Sequence, residues 1–248
     1  LKAIPRAAGV EFYRRHYVGT HAVLALVGDL RRDEARALAQ QLLGDLPAGA
    51  PPAALPPVPE RTKAERKTLQ HPASQTHILM GQPGMTRTDP DYFPLLVGNH
   101  ILGGGGLVSR LSDEIRERRG LSYSVHSYFM PMRERGPFVV GLQTENARRN
   151  EAETVMRRTV AEFIAKGPTE QELEAAKQHL TGGFPLRIDS NRKIADYLAV
   201  IGFHRLPLGY LDDFIARVEA VTAEQVREAL RRRLRVDTML TVAVGGGK

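Results

Sequence analysis

Gly103-Gly104-Gly105-Gly106-Leu107-Val108-Ser109-Arg110-Leu111-Ser112-Asp113-Glu114-Ile115-Arg116-Glu117-Arg118-Arg119-Gly120-Leu121-Ser122-Tyr123-Ser124-Val125-His126-Ser127 is the stretch on which the reading of this chain turns. The glycine run closes a helix predicted over 91–102 and opens another over 109–119. A strand over 122–129 follows, and a second over 137–144 lies beyond the turn-rich Pro131-Met132-Arg133-Glu134-Arg135-Gly136, so the two predict an antiparallel hairpin.

Outward from this stretch, strand and helix signals alternate in mixed order. A strand is predicted over 76–81. Val155, Met156, Val160, Phe163 and Ile164 recur at helical spacing over 151–166, and Gly167-Pro168 stops that helix. Thr169 with Glu172, and Thr222 with Gln225, have the spacing of capping boxes, and a strand over 238–244 closes the pattern. An α+β fold is implied, an antiparallel sheet with helices packed on one face. Upstream, the reading is a helix over 10–16, a continuously apolar strand over 22–28 and a helix over 32–43, too few elements for a domain. The apolar strand suits burial on both faces, and its neighbours are missing. Between the two regions stand Pro47, Pro51, Pro52, Pro56, Pro57 and Pro59, an extended linker.

The chain of 248 residues is 42% hydrophobic, enough for a full domain and more. No apolar run approaches the ~20 residues of a membrane span. The net charge of +7 comes largely from arginines spread along helices, without the interleaved aromatics of a nucleic-acid surface, so a solvated face is the reading. The densest cluster, Arg231-Arg232-Arg233-Leu234-Arg235, ends a predicted helix, where cations meet the negative end of the dipole. Zero cysteines exclude disulfides and thiolate metal sites. A start at Leu1 rather than methionine reads as a processed or trimmed chain, and no residue fixes the compartment.

The eight histidines do not form His-Glu-x-x-His or the inverted His-x-x-Glu-His, the spacings that set two imidazoles on one helical face beside a general base. No metal site is therefore expected on this chain. The run Gly103, Gly104, Gly105 and Gly106 lacks the lysine and hydroxyl residue of a phosphate loop and follows a helix rather than a strand. It reads as a helix-to-helix turn, a hinge, or a backbone surface that a peptide can approach. On spacing alone Arg116 belongs to a charged helix with ordinary surface pairs, and Tyr123 packs on a sheet face.

In the glycine turn, Ser109-Arg110-Leu111, Glu114-Ile115-Arg116, Arg119-Gly120-Leu121 and Tyr123-Ser124-Val125, the chain resembles the pitrilysin/insulinase family of metallopeptidases. Phe12-Tyr13-Arg14-Arg15-His16-Tyr17, Val27-Gly28-Asp29, Leu206-Pro207-Leu208-Gly209-Tyr210-Leu211 and Val221-Thr222-Ala223-Glu224-Gln225-Val226 extend the resemblance over the whole chain. The terminal Val242-Ala243-Val244-Gly245 repeats the earlier strand-glycine pattern. Residues 184–191 and 201–203 look more like the zinc-less partners in the family than its zinc-bearing members.

The resemblance implies two consecutive domains: residues 1–46 as the end of a first, 47–66 as linker and 67–248 as a complete second. It implies a non-catalytic subunit or half, with zinc expected in a partner or upstream half. Arg116 and Tyr123 would bind peptide and stabilise the scissile carbonyl as its oxygen becomes negative. It also implies a dimer with a zinc-bearing subunit, and for bacterial members points to the periplasm. The alternatives are the C-terminal half of a complete zinc endopeptidase whose metal motif lies upstream of Leu1, and a structural subunit without proteolytic role.

Overall fold

The computed structural model of the chain describes residues 3–246. In chain order its elements are α1 (Arg6–His16), α2 (Arg32–Leu43), β1 (Glu65–Leu69), β2 (Gln75–Pro83), α3 (Tyr92–Asn99), β3 (Val125–Phe129), β4 (Pro137–Glu145), α4 (Arg149–Lys166), α5 (Glu170–Gly182), α6 (Asn191–His204), α7 (Tyr210–Glu219), α8 (Ala223–Arg233) and β5 (Leu240–Val244). Two π-helical segments, His100–Gly104 and Ser112–Glu117, lie between α3 and β3. The residues divide into two units: those up to Pro56 with Pro185–Leu211, and Pro57–Phe184 with those from Asp212 onward. This division differs from the one read along the chain, because residues 185–211 group with the amino-terminal segment.

The larger unit is built on a five-stranded sheet in the order β1-β5-β2-β4-β3. Its logic is the period of two: in β2, Thr76, Ile78 and Met80 are buried while His77 and Leu79 are exposed. The antiparallel register sets Ile78 opposite Leu142 of β4 and Ala243 of β5, so three buried side chains form one row. α4 packs on β2 and β4, and α3 on β3 and α8, which covers that face with Leu95, Val160, Phe163 and Leu230. The expected α+β arrangement is borne out. One correction concerns the first strand: β1 falls partly in the expected linker and pairs parallel with β5, Glu65 opposite Leu240 through Leu69 opposite Val244, so the sheet is not wholly antiparallel.

The two capping boxes form. Thr169 Oγ1 accepts from the Glu172 amide at 3.2 Å while Glu172 Oε2 accepts from the Thr169 amide at 2.8 Å. Thr222 and Gln225 repeat the arrangement at 3.2 and 2.9 Å. Each box satisfies amides that a helix start leaves orphaned.

The arginine cluster at the end of α8 has specific partners as well as a dipole. Arg232 Nη2 donates to Asp91 Oδ1 at 2.7 Å, Arg233 Nε to Asp91 Oδ2 at 3.0 Å, and Arg233 Nη2 to Asp89 Oδ1 at 2.7 Å. The end of α8 is thereby tied to the start of α3. Burial pushes the Asp91 carboxyl up, but hydrogen bonds from Arg232 and Arg233 more than offset it and hold the group below its ordinary value.

In the smaller unit the expected strand over 22–28 carries no ladder among the described residues. Val23 and Leu24 remain 47% and 36% exposed. A strand is defined by its neighbours, and apolar composition alone does not supply them. Val18, buried at 4% exposure, sits under Gly49, where an added Cβ would come within 2.6 Å of it. Thr20 and His21 hold the same strap through the carbonyls of Gly49 and Ala50 at 2.9 and 2.7 Å.

Candidate functional site

The π-helical segments hold Gly103 and Gly104 of the glycine run and Arg116 of the proposed pair, while Gly105, Gly106 and Tyr123 lie just beyond them. In a π turn one extra residue is looped into the helix, which rotates the side chains that follow, and such turns recur at functional sites. The Arg118 amide reaches back to the Asp113 carbonyl at 2.9 Å, and the Gly105 amide to that of His100 at 2.8 Å.

Arg116 stands on the second π segment. Its neighbours pair among themselves: Arg118 with Asp113 and Glu114 at 2.8 and 2.9 Å, and Arg119 with Glu114 at 2.5 Å. Arg116 instead lays its guanidinium over the ring of Tyr123, 4.7 Å from the centroid, with Glu117 at 3.4 Å from Nε. The structure thus brings together the two residues that the resemblance singles out. Tyr123 is 84% exposed, so it does not pack on a sheet face, and its hydroxyl is open to a ligand.

The turn that joins them is tightly held. Gly120 takes φ +56°, a left-handed conformation that suits glycine. Its amide donates to Arg116 at 2.9 Å, and the Leu121 amide to Ile115 at 2.8 Å. Three consecutive carbonyls are bound by side chains: those of Arg119 and Gly120 by Arg148 at 3.1 and 3.0 Å, and that of Leu121 by Thr144 Oγ1 at 2.6 Å. Thr144 and Arg148 were not foreseen, because nothing local marks a side chain that caps carbonyls more than twenty residues away.

The four glycines divide by role. A Cβ at Gly103 would stand 2.6 Å from the Ser127 amide nitrogen, one at Gly104 2.6 Å from Asn99 Nδ2, and one at Gly105 2.8 Å from the His100 carbonyl. Gly106 has open space around it but φ +65°. Asn99 bridges the same edge of β3, donating to the Ser127 carbonyl at 3.2 Å and accepting from Ser127 Oγ at 2.8 Å. Beyond the run, Ser109 binds the Gly106 carbonyl at 2.7 Å. Arg110 forks onto Glu172 with two bonds of 2.6 Å and lies 4.8 Å from the Phe163 ring. Burial raises the Glu172 carboxyl, but Arg110 and Thr169 more than compensate, so it is held below its ordinary value.

His100 and His179 stack at 4.8 Å, a proximity that spacing did not reveal. No group of three or more histidines and carboxylates able to hold a metal occurs among the described residues.

The family description "Peptidase M16 inactive domain" matches residues 4–180. The chain belongs to that family. The resemblance to pitrilysin/insulinase proteins is thereby borne out. The crystal structure of a peptidase M16 inactive domain from Pseudomonas fluorescens is similar at a TM-score of 0.92 and 40% identity, over 98% of this chain and 58% of that one. An uncharacterized zinc protease of Streptomyces coelicolor is 31% identical over 232 residues, 89% of this chain and 49% of that protein. A non-peptidase homolog of Helicobacter pylori is 29% identical over 231 residues, 91% and 52% respectively. This M16 inactive domain spans about half the length of the curated relatives it matches.

Proposed function

We propose that this M16 inactive domain is the non-catalytic half or subunit of a zinc-dependent peptidase, binding the peptide substrate through Arg116 and Tyr123. The observation that carries the reading is the guanidinium stacked on an exposed tyrosine ring at 4.7 Å, on a π turn and beside a braced loop. A planar guanidinium held in one orientation and a free phenolic hydroxyl are two donors for a peptide carbonyl, and they strengthen as its oxygen gains charge. Cation–π contact restrains the arginine without consuming its terminal N–H groups.

The described residues offer no group of three or more histidines and carboxylates for a metal. Zinc, its ligands and the base that activates water belong in this reading to a partner subunit or an upstream half, and the working unit is a pair. Residues 1–46 are the end of a preceding domain, and Gly106 is the point at which the glycine run can turn. The neighbouring Leu107 and Val108, 63% and 84% exposed, are suited to touch an extended peptide.

A second reading, a structural subunit without proteolytic role, is favoured by similarity to the Helicobacter pylori protein named a non-peptidase homolog. The two separate when the chain is combined with a zinc-bearing family subunit and cleavage of a quenched peptide is followed. Arg116→Ala and Tyr123→Phe are each expected to lower kcat on the order of a hundredfold, the usual cost of one oxyanion donor. Unchanged rates in both would leave the structural reading.

A further inference from the structure

We infer that Arg148 is a positioning residue for the Arg116–Tyr123 pair, with Thr144 as its auxiliary. The inference rests on the peptide-binding reading above for its functional meaning, and on geometry alone for its structural one. Between Arg116 and Tyr123 the chain leaves a π turn, passes through the left-handed Gly120 and enters the approach to β3. The carbonyls of Arg119, Gly120 and Leu121 therefore point away from any helix ladder and need donors from elsewhere.

Arg148 and Thr144 supply them from the junction of β4 and α4. The fork of Arg148 spans two successive carbonyls, Nη2 to Arg119 at 3.1 Å and Nη1 to Gly120 at 3.0 Å, while Nη2 also lies 3.4 Å from Glu151 Oε2. Thr144 is 2% exposed and bonds Leu121, two residues before the tyrosine. A planar fork fixes the tilt of the peptide between the two carbonyls, which a single ammonium does not. That peptide sets the direction in which Tyr123 leaves the turn, and hence whether its ring meets Arg116. Arg148 touches neither member of the pair through the bonds named; it acts through the loop.

The test uses the full chain with 15N-labelled arginine. The ring of Tyr123 displaces the Arg116 Nε–H resonance, and Tyr123→Leu gives the undisplaced position. Arg148→Met and the milder Arg148→Lys are each expected to move that resonance at least halfway to the undisplaced position, with circular dichroism unchanged. In the cleavage assay with a zinc-bearing subunit, Arg148→Lys is expected to lower kcat about tenfold or more, since small misplacements of a binding group are costly. It should add nothing in a Tyr123→Leu background. An unmoved resonance in both Arg148 variants overturns the positioning role, as does a full additional loss on top of Tyr123→Leu. If instead Arg116→Ala leaves cleavage untouched, the peptide-binding reading fails while the resonance still decides the positioning.

Discussion

Asp91→Asn isolates the ionic tie between α3 and α8. The carboxylate, 11% exposed, accepts three guanidinium bonds at 2.7, 3.0 and 3.4 Å from Arg232 and Arg233. The substitution keeps the shape and one acceptor oxygen but removes the charge. Hydrogen bonds to charged groups contribute roughly 1.5–3 kcal/mol each when buried. Here Arg232 is 55% exposed and recovers water, and Arg233 keeps Asp89, so the net loss is close to one such bond. A destabilisation of about 2 kcal/mol follows, which lowers the melting temperature by about 4–8 °C in a unit of this size. The sign of its pH dependence is set by the depressed carboxyl. Stability from Asp91 is fully present above the unfolded value near ~3.9 and is lost as pH falls through the lower folded value. Melting followed by circular dichroism at pH 7 should therefore separate the wild type from Asp91→Asn, and the separation should close toward about pH 2. A difference under about 1 °C at pH 7, or one equally large in acid, would refute the reasoning.

Two further substitutions probe the scaffold under the site. Gly103→Ala places a methyl 2.6 Å from the Ser127 amide nitrogen, backbone that cannot move aside, and should cost about 1–3 kcal/mol in urea unfolding, with Gly182→Ala, which has open space, as the neutral control. Phe163→Ala empties a fully buried position under the Arg110 guanidinium and should cost about 3–5 kcal/mol by the same measurement.

How far the sequence could be read depended on how local each interaction is. Thr169 with Glu172 and Thr222 with Gln225 were legible because a capping box is closed within four residues. The strand over 76–81 was legible as a strand, and its alternation of buried and exposed side chains came with the structure. β1 escaped because Glu-Arg-Lys-Thr-Leu is exposed at every position, and an edge strand of charges carries no hydrophobic signal. The π segments were read as parts of ordinary helices, since composition does not announce a looped-in residue; both segments pack against β3. Arg232 and Arg233 looked like a solvated helix end; their partners Asp89 and Asp91 lie more than 140 residues away in sequence. The meeting of Arg116 and Tyr123 was expected only through the family resemblance. Arg148 was not expected at all, because carbonyl accounting requires the turn to be known first.

The unladdered segment Ala22-Val23-Leu24-Ala25-Leu26-Val27 bears on how the chain behaves when handled alone. Six apolar residues without proline or charge, in no sheet ladder among the described residues, form a segment suited to unintended strand addition. Two copies at high concentration can satisfy one another there, and the resulting oligomers would be soluble only while small. Self-association that grows with concentration is the expected outcome, and light scattering over a dilution series checks it. A preparation that clouds on standing would report an unmet pairing requirement in these six residues, while the five-stranded sheet stayed intact.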